Sequence, residues 1–248
     1  MLKTICAAIS ILCLLLSCKK PERTTYRYVP SNPVTPNTNP VVLPDTGGVK
    51  TFLALGDSYT IGQSVAVRDR FPVQTVSLLN SLNILFSQPE IIAQTGWTTG
   101  HLLSAIGSTP PSKPRYDIVS LLIGVNNQYQ RRTQDEYSQQ FTTLLEIAIR
   151  YAGNNKRRVF VLSIPDYSVT PFASNSNTVQ IAAEIDAFNA INRQIALQYN
   201  VNYLDITGYT RMAATDPSLV ANDGLHPSGI EYAVWARHLV PAIRAVLQ

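Results

Sequence analysis

Short apolar runs separated by stretches of helical periodicity most constrain what this chain can fold into. The runs are Thr51–Leu55, Glu90–Ala93, Asp117–Ile123, Arg158–Ile164 and Val201–Ile206. Each has the length of a buried strand. Between them lie Phe71–Leu82, His101–Ile106, Thr133–Tyr151 and Thr178–Tyr199, and Ser228–Leu247 follows the last run with Pro241 inside it. The pattern is clearest in Thr178–Tyr199, where Ile181, Ile185, Phe188, Ile191, Ile195 and Tyr199 fall on one helical face. Strands that alternate with helices imply a mainly parallel sheet covered on both faces, so the expected class is α/β.

The pattern begins only at Val49. Before it, Met1–Ser17 has one lysine and then an apolar run too short to span a bilayer comfortably, the form of a signal peptide. Leu15-Leu16-Ser17-Cys18 resembles a bacterial lipoprotein box, which makes Cys18 the expected lipidated residue and places the protein on a membrane of the bacterial envelope. Residues 18–48 carry Pro21, Pro30, Pro33, Pro36, Pro40 and Pro44 among Thr, Asn and Ser. They read as an extended tether, reaching about 90 Å at the polyproline rise. Residues 49–248 form the expected catalytic domain. The cysteines are Cys6, Cys13 and Cys18, so disulfides and thiolate metal sites are excluded from that domain. A formal charge of +4 with scattered basic pairs gives no nucleic-acid footprint. No GxGxxG or GxxxxGK[ST] loop follows a strand, and the serine below does not stand in GxSxG.

Chemistry concentrates at the strand ends. Thr51–Leu55 stops at Gly56-Asp57-Ser58, the second run at Gln94-Thr95-Gly96 and the third at Gly124-Val125-Asn126-Asn127. In open α/β sheets, ligands bind at that edge. A serine hydroxyl needs a base to take its proton, and an imidazole suits that role. The imidazole in turn needs a carboxylate to fix its tautomer. Asp223 and His226, three residues apart before the closing helix, supply both. The Ser58 and Gly96 N–H groups and the Asn126 amide are candidate donors to an oxyanion. Asp57 remains a rival for the acid, although a turn carboxylate is its plainer role, and Gly100 is a rival for Gly96. His101 and His238 read as structural. Trp97, Tyr59, Tyr129 and Tyr167 are candidates either for a pocket wall or for the core.

GDSYT at 56–60, the glycine in QTGWTT at 94–99, GVNN at 124–127 and DGLHP at 223–227 resemble, in order and spacing, the four blocks of the SGNH, or GDSL-type, hydrolase family. The resemblance implies a three-layer α/β/α, flavodoxin-like domain that cleaves esters through an acyl-enzyme. It makes Ser58 the nucleophile, His226 the base and Asp223 its partner, with Ser58, Gly96 and Asn126 in the oxyanion hole. It implies no metal and no organic cofactor. Asn127 stands where the family often has Asp, and Tyr59 where its name has Leu. The expected enzyme is a monomeric, lipid-anchored serine esterase acting on acyl esters, with short acyl groups on carbohydrate favoured. The alternative is a catalytically silent surface lipoprotein that binds glycan or serves adhesion on the same fold.

Overall fold

The computed structural model describes residues 48–248. The expectations for the signal peptide, for lipidated Cys18 and for the tether up to Thr46 and Gly47 lie outside those residues.

Five strands form one parallel sheet: β1 Phe52–Gly56, β2 Glu90–Ala93, β3 Ile118–Leu122, β4 Val159–Leu162 and β5 Asn202–Leu204. Their order is β2-β1-β3-β4-β5, with every neighbouring pair parallel. This is the flavodoxin-like doubly wound order, and its chain reversal falls between β1 and β3. β1, β3 and β4 are buried at every residue, whereas the edge strands β2 and β5 are half-buried throughout. Continuous burial is what a strand covered on both faces requires, and it explains why the central runs read as unbroken apolar segments.

The helices are α1 Ser58–Ile61, α2 Phe71–Ser81, α3 Thr99–Ser108, α4 Val125–Tyr129, α5 Gln134–Tyr151, α6 Thr178–Tyr199, α7 Thr207–Thr210 and α8 Gly229–Leu247. α2 packs on α8, and α5 packs on α3 and α6, so helices cover both faces in a three-layer α/β/α arrangement. Phe71 of α2 meets Tyr232 and Trp235 of α8 at ring separations of 6.3 and 5.8 Å. The main elements follow the sequence pattern to within a few residues. α3 starts earlier than the apolar spacing suggests because Thr98 caps it. The Thr98 hydroxyl accepts from the His101 N–H, and His101 Nδ1 accepts from the Thr98 N–H, a reciprocal box that sets the helix start. His101 is therefore a cap residue.

Candidate active site

The loops after β1, β2 and β3 and the loop before α8 meet at the C-terminal edge of the sheet. Gly56 ends β1 where nothing larger fits. A Cβ there would lie 2.4 Å from the Leu122 carbonyl oxygen of β3 and 2.1 Å from Thr60 Oγ1. Asp57 then caps α1, its carboxylate accepting from the Tyr59 N–H at 3.0 Å. Ser58 is thereby the first residue of a helical turn, where its own N–H has no intrahelical partner. The residue is buried apart from a 4% opening.

The loop at 219–228 is pinched shut by its backbone. Ala221 N–H donates to the His226 carbonyl at 2.7 Å and Ser228 N–H to that of Leu219 at 2.8 Å, while Gly224 turns the chain with φ +71°. Asp223 and His226 consequently face each other, with His226 Nδ1 2.7 Å from Asp223 Oδ2. The other carboxylate oxygen accepts from the N–H groups of Leu225 and His226 at 3.0 and 2.9 Å. Among the described residues Asp57 makes no hydrogen bond to the imidazole, so the geometry favours Asp223 as the candidate acid.

Ser64 was not visible as a site residue in the sequence. Its hydroxyl donates to Asp223 Oδ2 at 2.6 Å across 159 positions. It stands in the left-handed region at φ 65°, a conformation a serine rarely adopts without compensation. Partial burial pushes the Asp223 carboxyl up, but bonds from Ser64, the His226 N–H and ring and the Leu225 N–H outweigh it and hold the group well below the ordinary carboxylate range. Removing one donor to a charged acceptor is worth about 1.5–3 kcal/mol. Ser64→Ala is therefore expected to lower kcat/KM about tenfold on 4-nitrophenyl acetate, with an unchanged fold by circular dichroism.

Ser58, Gly96, Asn126 and His226 line one pocket of about 140 Å3, walled by Tyr129, Tyr167 and Phe172. Among the described residues no hydrogen bond joins the Ser58 hydroxyl to the His226 ring. Such bonds often tighten only when substrate is bound. The Tyr59 ring packs 5.0 Å from that of His226, which limits the imidazole's tilt. Gly96 has φ +82°, with open space where a Cβ would stand, so glycine is needed here for its backbone and leaves the approach clear. Gly100 instead sits in α3 against Gln140. Asn126 donates one amide hydrogen to the Trp97 carbonyl at 3.0 Å. Trp97 itself lines a different hollow, beside β2, so of the four aromatic candidates only Tyr59, Tyr129 and Tyr167 reach the pocket. Phe172, not singled out from sequence, joins Tyr129 and Tyr167 in a triangle with separations of 6.0 to 6.2 Å. His238 stacks on Tyr209 with ring centres 4.6 Å apart.

Asn127 has a local explanation. Its Oδ1 accepts from the Thr99 N–H at 2.9 Å and its Nδ2 donates to Thr99 Oγ1 at 2.7 Å. Thr99 Oγ1 gives its own proton to Gln140. It therefore needs a donor opposite, which an ionised aspartate cannot be. The amide clamps the loop of Asn126 to the start of α3, beside Gly96.

Beneath the Ser58 turn, burial pushes the Asp57 carboxyl up to about 7, against the Tyr59 N–H and the Asn126 amide, which favour its ionised form. Its Oδ2 has no hydrogen bond of ordinary geometry. The folded pKa exceeds the ordinary 3.8, so the native state holds the proton more tightly than the unfolded chain. Stability from the neutral acid is complete below about pH 4 and is lost as pH rises through 7. Asp57→Asn keeps the acceptor for Tyr59 and never ionises. We expect it to lose less stability than the wild type between pH 5 and pH 8 in urea titrations, by up to about 3 kcal/mol. Parallel stability curves would refute the assignment.

A sequence model described as the GDSL-like lipase/acylhydrolase family matches residues 54–234. The chain belongs to that family and is a carboxylic ester hydrolase of the SGNH type. Solved structures share its fold. Axe2, an acetylxylan esterase from Geobacillus stearothermophilus, superposes with a TM-score of 0.61 at 20% identity, covering 79% of this chain and 95% of that one. A structure of TesA gives 0.63 at 14% identity, covering 80% and 100%. The acetyl xylan esterase AlAXEase gives 0.62 at 16%, covering 77% and 98%. No curated protein sequence matches the chain.

Proposed function

We propose that the protein is a lipid-anchored serine esterase that removes short acyl groups, acetyl foremost, from carbohydrate. The observation that carries the mechanism is the 2.7 Å contact between His226 Nδ1 and Asp223 Oδ2, opening on the pocket that Ser58, Gly96 and Asn126 share. Asp223 accepts from Nδ1–H and leaves Nε2 free to act as base. Nε2 takes the Ser58 proton as Oγ bonds to the ester carbonyl carbon. The carbonyl oxygen gains the negative charge and receives hydrogen bonds from the Ser58 and Gly96 N–H groups and the Asn126 amide. Collapse breaks the bond to the alcohol, which leaves with the proton from His226. Water, deprotonated by the same imidazole, then attacks the acyl-Ser58 ester, and the carboxylic acid departs.

The acyl preference rests on room. About 140 Å3 behind three aromatic rings is well under the roughly 300–1,000 Å3 of sites for drug-sized ligands. The carbohydrate preference rests on the exposed Tyr129 and Phe172 at the mouth and on fold neighbours described as acetylxylan esterases. Envelope attachment through Cys18 rests on the LLSC sequence and the proline-rich segment after it.

A fluorophosphonate tests the reading against a glycan-binding protein without chemistry. Stoichiometric labelling at Ser58, with acetyl esters cleaved much faster than palmitoyl esters, is the expected result. An unlabelled, inactive protein that retains glycan affinity would establish the binder instead. Asn126→Ala should lower kcat about 10²–10³-fold if its amide serves the oxyanion, and a loss below about threefold would remove it from that role.

A further inference from the structure

A second cleft, of about 740 Å3, adjoins the pocket just described and shares Tyr129 and Tyr167 with it as a common wall. Its floor is a hydrogen-bonded chain. The Tyr167 hydroxyl donates to Gln128 Oε1 at 2.9 Å, Gln128 Nε2 donates to Glu184 at 2.7 Å, and Gln180 Nε2 donates to the other Glu184 oxygen at 2.7 Å. Those two amides hold the Glu184 carboxyl below its ordinary range against burial, with Arg131 nearby acting in the same direction. Glu184 is therefore an anion whose oxygens are both already engaged.

Positive charge exceeds it. Arg131 and Arg132 line the same cleft, and among the described residues neither forms an ion pair with a carboxylate. The start of α6 also opens there, through Ser176, Asn177 and Gln180. α6 is a 22-residue helix with no acidic residue in its first turn, so no carboxylate offsets the positive end of its dipole within that turn.

The backbone supplies an independent argument. Among the described residues, five that are not glycine have positive φ: Ser64, Asn83, Arg131, Asn154 and Asn200. The three asparagines follow helix C-termini, where asparagine adopts that conformation at little cost. Arg131 occupies the same kind of position after α4 at φ 56°, where an arginine is strained and glycine or asparagine would serve the turn better. Of the remaining two, Ser64 reaches the candidate catalytic acid and Arg131 reaches this cleft. An unfavourable residue in a turn points to its side chain.

We propose that this cleft binds the alcohol part of the ester, and that this part is an acidic oligosaccharide whose carboxylate is received by Arg131 and Arg132. The inference rests on the esterase reading and specifies its leaving group. The amide-rich floor suits a chain of hydroxyls, the Tyr129 ring suits a sugar face at the junction, and the excess cation selects a uronate over a neutral sugar.

The test compares wild type with Arg131→Asn/Arg132→Ser, which relieves the strained turn. The substrates are acetylated oligogalacturonate and acetylated xylo-oligosaccharide. The ratio of kcat/KM values, acidic over neutral, is expected to fall about tenfold in the variant through KM, as loss of a charge-assisted contact implies. In the wild type the ratio should also fall as salt is raised to about 0.5 M. Calorimetric binding of unacetylated oligogalacturonate, which requires no turnover, should weaken in parallel. A ratio that moves less than about threefold, or equal binding by both proteins, would overturn the proposal. Failure of the wild type to hydrolyse 4-nitrophenyl acetate would count against the esterase reading alone, and the calorimetry would still decide the cleft.

Discussion

Ser58→Ala is expected to lower kcat on 4-nitrophenyl acetate by on the order of 10⁶ while leaving the thermal transition in place. The magnitude is that of removing the nucleophile from a serine hydrolase whose groups act as a unit. The fold should survive because Ser58 contributes little packing: Gly56 sets the strand end, and Asp57 caps the turn through the Tyr59 N–H. Alanine also retains the backbone N–H assigned to the oxyanion, so the loss isolates the hydroxyl. Turnover within about tenfold of wild type would end the assignment of Ser58.

Asp223→Asn is expected to cost about 10⁴ in kcat. The substituted side chain would keep an oxygen for the Leu225 and His226 N–H groups, so the pinched loop persists. Its amide nitrogen would face the His226 ring where Oδ2 now accepts. An N–H in that place donates to Nδ1 and puts the imidazole proton on Nε2, the atom that receives the serine proton in the proposed mechanism. The measurement is kcat against pH on the same ester, with circular dichroism to confirm the fold. A loss below about tenfold would show that the tautomer is not set by Asp223.

What the sequence made legible depended on how far apart the interacting residues lie. Central strands read clearly because burial on both faces leaves unbroken apolar runs, as in Ile118–Leu122. Asp223 and His226 were readable because they are three positions apart on one turn. Ser64 was not, since its partner is 159 positions away and no period links them. α1 and α4, at four and five residues, are shorter than any window in which helical spacing shows. Phe172 lies in a 3-10 segment with no pattern of its own, and it enters the pocket wall through tertiary packing with Tyr129 and Tyr167. Trp97 illustrates the opposite limit: proximity to a motif in sequence did not put its ring in the pocket.

One backbone contact ties two of these parts together. The Phe172 N–H donates to the Gly224 carbonyl at 2.9 Å, so the segment bearing the aromatic wall is stitched to the turn between Asp223 and His226. Arg211 anchors the same segment from behind, bridging Asp166 and Asp186 at 2.8 and 2.7 Å. Exchanging residues 165–177 for the equivalent stretch of another esterase, a natural way to re-engineer its preference, would thus disturb Asp223 and His226 as well. A graft that preserves that single amide-to-carbonyl stitch has the better chance of altering choice of substrate while sparing rate.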